Sequence, residues 1–452
     1  MAPHRLPVAL RGIASIVTGS VIGQALVMVA YPVLTRLYSP AEFGLLTVFS
    51  SVVGMLGVIS AGALESAVVI PVRDREAAAV AWAGLGSVCL VAALTGIVGI
   101  IAAAPLSGLV GVPALAGYWW LVSLTVLAMG SYLVLSEWMV RDRSYAALGR
   151  RNLFQGIGQV GTQLGLGVAG LRPEGLLLGL GVGRVLALGG LTSRGGLLRQ
   201  PRPAWADLVA AVRRFRRFPL LAMPSMLVNS AGLEIPLLLV SALYGDAKAG
   251  LLGLTARVVV GPLAIVSQAV SQVFTGESGV RVRQPDAELG RSLRGAAWRL
   301  AATGVVPAIV LVAFGPGLFG LVFGAPWAES GEYARYLAVA YLAQFVVTPI
   351  SSTLFLLERQ GQELGWGVVR LLATAGGPLL CGLLGAPIQV AVIVLAAAHT
   401  LSYAVLYGLC VRAADRADQL GVPARARTEV EEPGGPPDRN RPAGAGDDHP
   451  SR

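Results

Sequence analysis

The sequence predicts an all-α polytopic membrane protein with about twelve transmembrane helices, and two observations support this fold class. First, 55% of the residues are hydrophobic and only 13% are charged, whereas soluble globular domains carry about 25% charged residues. Second, apolar runs of about 20 residues follow one another along the chain, and each is long enough to cross a hydrocarbon core of about 30 Å.

The apolar runs place the expected spans. They cover residues 12–35, 43–69, 77–103, 117–140, 150–170, 174–198, 219–244, 248–275, 293–318, 333–357, 365–385 and 388–411. The first stretch, from Gly12 to Leu34, is too long for the apolar region of a cleavable signal peptide. We therefore expect it to be retained as the first span.

The basic residues predict the orientation of these spans. With the N-terminus inside, most of the 35 Lys and Arg residues fall in cytoplasmic loops. The outer side receives Arg36, Arg172, Lys248 and Arg335, while Arg184, Arg257 and Arg370 fall within spans. Because positive residues collect on the cytoplasmic side of a membrane, we expect both termini there. Topology then explains the net charge of +10, and no nucleic-acid partner is expected.

An internal repeat predicts two lobes. The segment 37–46, LYSPAEFGLL, is matched by LYGDAKAGLL at 243–252, 206 residues further on, and Pro32 and Pro236 precede the two copies. A self-match at about half the chain length indicates duplication. We expect six-helix lobes at residues 1–198 and 219–412, related by a pseudo-twofold axis along the membrane normal.

The segments outside the lobes have distinct compositions. In the linker, residues 199–218, apolar and basic residues alternate at helical spacing: Trp205, Leu208, Val209, Val212 and Phe215 stand opposite Arg213, Arg214, Arg216 and Arg217. This pattern predicts an amphipathic helix on the inner leaflet, with an ordinary basic loop as the alternative. The tail, residues 413–452, is rich in Pro, Gly and charged residues and is expected to be disordered in the cytoplasm.

Catalytic motifs are missing from the sequence, so we expect a protein that is not an enzyme. A phosphate-binding loop needs Gly-Lys-Ser/Thr, but the single lysine, Lys248, follows Ala247. The three cysteines and three histidines are scattered, and they predict neither a disulfide nor a metal site: Cys89, Cys381, Cys410, His4, His399 and His449.

Polar residues inside the spans are the candidates for substrate contacts, because a charge there is costly unless it faces protein or water. The candidates are Arg257, Asn229, Gln268, Gln272, Gln24, Gln155, Gln159 and Arg184. They predict a wet cavity between the lobes, suited to sugar hydroxyls and a phosphate. The alternative is that the amides hold helices together. For Arg257, which has no obvious partner nearby in the sequence, the functional interpretation is favoured.

Several motifs resemble bacterial oligosaccharide flippases, the polysaccharide-transporter branch of the multidrug/oligosaccharidyl-lipid/polysaccharide superfamily. They are LTRLYSPAEFG at 34–44, ESAVVIP at 65–71, Phe218-Pro219, Pro224-Ser225, Asn229-Ser230, Pro236, Arg257-Val258, SQVF at 271–274 and FGAPW at 323–327. The resemblance covers about residues 10 to 412, in order.

This resemblance implies a function. It implies two lobes of the multidrug-transporter (MATE-like) type that alternate access and carry an undecaprenyl-diphosphate-linked oligosaccharide from the inner to the outer leaflet of the bacterial cytoplasmic membrane. The glycan would serve a capsule, exopolysaccharide or O-antigen. Besides this cargo, membrane lipids and the polysaccharide polymerase machinery are the implied partners. A cation-coupled drug antiporter and a lipid II flippase are the alternatives.

The resemblance also assigns expected roles to residues. Arg257 is the first choice for a diphosphate contact, and Arg36, Glu65 and Glu234 are candidates for coupling or gating. No cofactor is expected beyond a coupling proton or sodium ion, which is typical of the superfamily. Glu234 departs from the family pattern, which more often has an uncharged polar residue there.

Overall fold

The fold is given by a computed structural model, which describes residues 6–192, 196–281, 288–357 and 359–420. Within these ranges the regular elements are all helical. The helices are α1 Leu6–Leu37, α2 Pro40–Ser60, α3 Asp74–Leu109, α4 Trp119–Arg141, α5 Tyr145–Val168, α6 Glu174–Thr192, α7 Trp205–Arg214, α8 Met223–Tyr244, α9 Asp246–Arg281, α10 Leu289–Phe323, α11 Ala328–Ile350, α12 Ser352–Leu356, α13 Gln360–Leu383 and α14 Ile388–Leu420.

Nine helical segments among the described residues are long and apolar enough to cross a membrane. They are Pro40–Ser60, Asp74–Leu109, Pro113–Arg141, Phe218–Tyr244, Asp246–Gln268, Leu289–Phe323, Ala325–Leu356, Gln360–Leu383 and Ile388–Gln419. Helices suit this environment because each backbone polar group finds its partner within its own segment. The other three predicted spans fall on α1, α5 and α6, and their crossing of the membrane stays a prediction.

The turn between α1 and α2 follows directly from its sequence. Ser39 caps α2: its hydroxyl accepts a hydrogen bond from the Glu42 amide at 3.3 Å, and Glu42 Oε2 accepts one from the Ser39 amide at 2.6 Å. Pro40 occupies the first turn of α2, where its missing N–H is not needed. This reciprocal cap starts a new helix only three residues after α1 ends.

The two copies of the repeated segment pack against each other through glycines. A Cβ atom on Gly44 would lie 1.9 Å from the carbonyl oxygen of Asp246, and one on Gly250 would lie 1.9 Å from the carbonyl oxygen of Pro40. Gly44 is 206 residues from Gly250, and Pro40 is 206 residues from Asp246. The partners are therefore exchanged, as at a twofold interface. We call residues 35–47 and 241–253 the interlock.

Two loops cover the interlock in the same reciprocal way. In the α3–α4 loop, a Cβ on Gly111 would lie 2.4 Å from the carbonyl oxygen of Ser241. In the α10–α11 loop, the buried Trp327 donates from Nε1 to the carbonyl oxygen of Thr35 at 3.0 Å. Thr35 and Ser241 are again 206 residues apart. The Trp327 ring also packs edge-on against Phe43, at 4.9 Å between centroids, which fixes the α10–α11 loop against the start of α2.

The linker contains the predicted helix, α7, which is attached to α3. Arg75 of α3 donates to Asp207 at 3.1 Å, and Arg214 donates to Glu76. Phe215, which follows α7, is buried in the core, whereas the indole of Trp205 is 79% exposed. The apolar residues of the linker thus face in two directions: Phe215 packs into the protein, and Trp205 faces the surroundings.

Two predicted boundaries are wrong. The sequence predicts a second span over 43–69, but α2 ends at Ser60, and Glu65 lies in a separate 3-10 turn after the left-handed Gly62 and Ala63. The predicted disordered tail was started at 413, but α14 continues to Leu420. Near its end, Asp418 accepts hydrogen bonds from the first amides of α10. The remainder of the predicted tail lies outside the described residues.

Substituting Gly44 with alanine should destabilise the protein, because the added methyl group would collide with the backbone of Asp246. Overpacking of this kind costs about 1–3 kcal/mol. Thermal unfolding of the purified protein in detergent measures the effect. Gly86→Ala is the matched control, since a Cβ there meets no atom within 4 Å. Equal midpoints for the two variants would contradict the close contact.

Acidification should weaken the attachment of α7 to α3. The Arg75 guanidinium, which hydrogen-bonds to Asp207, holds the pKa of that carboxyl below its usual range. A lowered pKa in the folded state stabilises the docked linker above the ordinary Asp value of about 3.9, and this contribution is lost as the pH falls through the lowered pKa. A spin label at Ala210 should become more mobile over that range. In Asp207→Asn the label should be mobile already at neutral pH, and an immobile label there would refute the role of the pair.

Candidate functional site

A cavity of about 410 Å³ lies between helices of the first and second halves of the chain. Its walls come from α1, α2, α8, α9, α11 and α14. The polar residues that line it are Gln24, Tyr31, Ser50, Glu234, Arg257, Tyr341, Gln344 and His399. The structure therefore brings together three residues predicted from the sequence, Gln24, Glu234 and Arg257, that are far apart in the chain.

Arg257 connects α9 to α2. Its Nη1 donates to Thr47 Oγ1 at 2.9 Å, and its Nη2 donates to Ser50 Oγ at 2.6 Å. Gly253 makes this possible, because a Cβ there would lie 2.0 Å from Thr47 Oγ1. Both partners are neutral hydroxyls, so the hydrogen bonds orient the guanidinium without neutralising its charge.

Glu234 supplies a negative charge to the same cavity. It reaches from α8 toward α2, so that its Oε1 lies 3.4 Å from the position of a Cβ on Gly54. Its carboxylate is within electrostatic range of Arg257. The cavity therefore brings a guanidinium and a carboxyl group from different helices together.

A second cavity, of about 440 Å³, continues along α9 and α11. It is lined by Gln268, Ser267, Ser271 and Thr348, and it shares Gln344 with the first cavity. Hydroxyls and amides thus extend from Arg257 toward the far end of α9. Gln272 lies on α9 as well, but its side chain lies outside the described part of the structure.

The candidates on α5 and α6 lie together away from Arg257. Arg184 Nη1 donates to Gln155 Oε1 at 3.2 Å, and its guanidinium carbon lies 4.8 Å from the ring centroid of Tyr132. The Cβ of Gln159 would lie 3.0 Å from a Cβ on Gly183, so this side chain packs at the α5–α6 contact. These three residues make contacts between helices, as expected if their polar groups hold helices together and do not bind the substrate.

The remaining gating candidates lie outside both cavities. Arg36 belongs to the interlock, where Nη1 donates to the carbonyl oxygens of Pro32 at 2.5 Å and Val322 at 3.1 Å. It therefore ties the end of α1 to the end of α10. Glu65 is buried in its 3-10 turn, with 5% of its surface exposed.

Arg370 is a buried arginine to which the sequence assigned no role. Only 2% of its surface is exposed. Its Nη2 donates to both the carbonyl oxygen and Oδ1 of Asn229, each at 2.8 Å, and its guanidinium lies 4.7 Å from the ring centroid of Trp366. Gly232 leaves room for it, since a Cβ there would lie 2.9 Å from Nη2. Asn229, a predicted substrate ligand, is thus occupied as an acceptor for Arg370.

His399 is the second residue that the sequence left without a role. It lines the first cavity opposite α2, and its Nε2 lies 3.3 Å from Gln344 Oε1. In the sequence, Arg370 and His399 stand out only as polar residues inside apolar runs. Their partners come from other helices, so this pattern could not show what they contact.

The comparisons with known proteins identify the family. A family model described as "Polysaccharide biosynthesis protein" matches residues 33–332, more than half of the chain. The chain belongs to this family. It is also similar to the succinoglycan biosynthesis transport protein ExoT of Rhizobium meliloti (strain 1021), with 27% identity over 371 residues that cover 77% of this chain and 69% of the relative.

Solved structures of low sequence identity share the fold of this family member. One is an inward-facing multidrug resistance MATE family transporter of the MOP superfamily, with a TM-score of 0.66, 17% identity, and coverage of 90% of this chain and 99% of that one. Another is the lipid II flippase MurJ in an inward closed conformation, with a TM-score of 0.68, 10% identity, and coverage of 92% and 91%. The all-helical, MATE-like fold class predicted from the sequence is confirmed by these matches.

Replacing Arg370 with methionine should destabilise the protein, because the acceptors on Asn229 would lose their donor inside the membrane. The expected loss is about 1–3 kcal/mol. Thermal unfolding in detergent measures it, with Leu372→Met as the control, since Leu372 lies on the same helix and is 67% exposed. If Arg370→Met unfolds at the midpoint of the control, the hydrogen bonds to Asn229 do not stabilise the fold.

Proposed function

We propose that this protein is a flippase that moves an undecaprenyl-diphosphate-linked oligosaccharide across the bacterial cytoplasmic membrane during synthesis of a cell-surface polysaccharide. The observation that carries the proposal is the cavity around Arg257, where a guanidinium held by two hydroxyls shares a largely apolar space with a few amide, carboxyl and hydroxyl side chains. Membership of the polysaccharide biosynthesis family and the transport function named for its Rhizobium meliloti relative support it.

The proposed membrane arrangement has twelve spans in two six-helix lobes, residues 1–198 and 219–412, with both termini in the cytoplasm. The reciprocal contacts of Gly44 and Gly250 support a twofold relation between the lobes. The loops of the interlock carry few basic residues, which favours the outer side for this end of the bundle. The described conformation is then closed to the outside, and it receives the cargo from the inner leaflet.

Arg257 binds the diphosphate of the cargo in this proposal. A guanidinium presents paired N–H donors that match phosphate oxygens. Gln24, Gln344 and Gln268 offer amides to the sugar hydroxyls along the two cavities. Because Thr47 and Ser50 are on α2 and Arg257 is on α9, a diphosphate that replaces these hydroxyls as the acceptor of the guanidinium removes two hydrogen bonds that hold the helices together at the interlock. Binding and opening are thereby linked.

Glu234 is the proposed site of coupling to a proton or a sodium ion. Its carboxyl shares the cavity with Arg257, so its charge changes the attraction for an anionic cargo. No catalytic residue is required, because the cargo crosses the membrane unchanged. The surrounding lipids and a polysaccharide polymerase that receives the product are the proposed partners.

Two other transport functions remain as second candidates. A cation-coupled drug antiporter is favoured by the carboxyl of Glu234 in the cavity, which would attract a cationic drug. A lipid II flippase would use the same guanidinium for the same diphosphate. The choice among the three depends on the cargo, which fold similarity does not determine.

Reconstituted vesicles test the proposed function. Purified protein is added to vesicles that contain a fluorescent undecaprenyl-diphosphate oligosaccharide, and a membrane-impermeant quencher reports its leaflet distribution. We expect the protein to accelerate exchange between leaflets. Exchange at the rate of protein-free vesicles would refute the proposal. Uptake of a cationic dye in parallel vesicles, without movement of the lipid-linked sugar, would favour the drug antiporter instead.

Arg257→Ala should slow transport severely while leaving the protein folded and inserted in the membrane. A hydrogen-bonded ion contact contributes about 1.5–3 kcal/mol, which corresponds to a loss of about tenfold to a hundredfold in the rate. The transport rate of Arg257→Lys should fall between those of the wild type and Arg257→Ala, because lysine keeps the charge but loses the paired donors. Arg299→Ala, at an exposed arginine on α10, is the control. Transport by Arg257→Ala at the rate of this control would contradict the assignment.

A further inference from the structure

An apolar groove runs along the side of the second half of the protein. It encloses about 580 Å³ between α9, α10 and α11. Its rim is open to the surroundings: Val306, Val310 and Leu318 are 62%, 40% and 40% exposed. Apart from the hydroxyl of Tyr341, every side chain that lines the groove is apolar. The groove is therefore chemically suited to a hydrocarbon chain.

Prolines and a glycine shape the groove. Pro262 of α9 and Pro307 of α10 line it, and each interrupts the hydrogen bonding of its helix. Gly304 lets α10 approach α11, because a Cβ there would lie 2.6 Å from Leu342 Cδ1 and 3.0 Å from Phe345 Cδ1. The groove is thus a recess beside the prolines of α9 and α10 and next to the close contact of α10 with α11.

The groove adjoins the polar cavities. Tyr341 lines the groove and both cavities, and Leu263 and Phe345 line the groove and the second cavity. Val258, which lines the groove, directly follows Arg257, which lines the first cavity. The groove and the polar cavities therefore share a wall at Tyr341 and along α9, which places the groove next to the site of the guanidinium.

We propose that the groove holds the polyprenyl chain of the lipid-linked sugar while the diphosphate is bound at Arg257. This inference rests on the proposed function and adds to it the position of the lipid part of the cargo. Moving a hydrocarbon chain from the bilayer into the groove gains no hydrophobic free energy, since both are apolar. The affinity comes from the charged end, and the groove orients the chain by its shape.

A photoreactive polyprenyl phosphate tests the groove directly. The full-length protein in lipid nanodiscs is irradiated with a polyprenyl phosphate that carries a benzophenone on its chain, and the labelled peptides are identified by mass spectrometry. We expect labels on the groove walls formed by α10 and α11. This mapping uses the unmodified protein, so it does not depend on the folding of a variant.

A pair of matched variants sharpens the test. Val310→Trp fills the groove, whereas Val312→Trp places the same ring on the same helix outside it, at a position with similar exposure, 45% against 40%. We expect Val310→Trp to lower the labelling about tenfold and Val312→Trp to leave it unchanged. Equal labelling of both variants would overturn the proposal.

Further outcomes separate the possible occupants and the two proposals. If a phosphatidylglycerol with a benzophenone on its acyl chain labels the groove as efficiently as the polyprenyl probe, the groove holds bulk lipid and the proposal fails. Transport in the vesicle assay together with polyprenyl labels confined to other helices refutes the groove alone. Polyprenyl labels in the groove without transport support the groove and refute the proposed function.

Discussion

The close backbone contact between α2 and α9 is the constraint on which the site depends. Gly250, Gly253 and Arg257 follow one another at steps of three and four residues, so they share one face of α9. The first meets the backbone at Pro40, the second makes room for Thr47, and the third donates to Thr47 and Ser50. The face that closes the interlock is therefore the face that delivers the guanidinium to the cavity.

Three arginines within the predicted spans find their hydrogen-bond partners in the same way. Arg257 donates to hydroxyls, Arg184 donates to an amide and lies near a tyrosine ring, and Arg370 donates to a carbonyl oxygen and lies over a tryptophan ring. Dipoles and aromatic faces offset the cost of a charge away from water without cancelling its sign. Each guanidinium therefore keeps its positive charge among the helices.

Sequence reasoning found the features that repeat or that depend on average composition. Nine predicted spans coincide with apolar helices, and the duplicated segment led directly to the interlock. It failed where one distant residue decides the outcome. Arg370 depends on Asn229 and Gly232 of another helix, and the end of α14 depends on the contact of Asp418 with α10. The left-handed residues before Glu65 end α2 early, although the apolar run continues.

If the proposed transport cycle is right, the interlock opens once the cargo is bound, and a distance across that end of the bundle reports the opening. Leu171 and Leu384 are exposed. Leu171 precedes Arg172, which lies near the Tyr38 ring of the interlock, and Leu384 is two residues after Gly382, which packs against Leu243 of the interlock. Spin labels at these two positions, in a variant that lacks the three native cysteines, report the separation by double electron–electron resonance. We expect a longer distance to gain population when undecaprenyl-diphosphate oligosaccharide is added to the reconstituted protein. A single distance, unchanged by the cargo, would contradict the proposed opening.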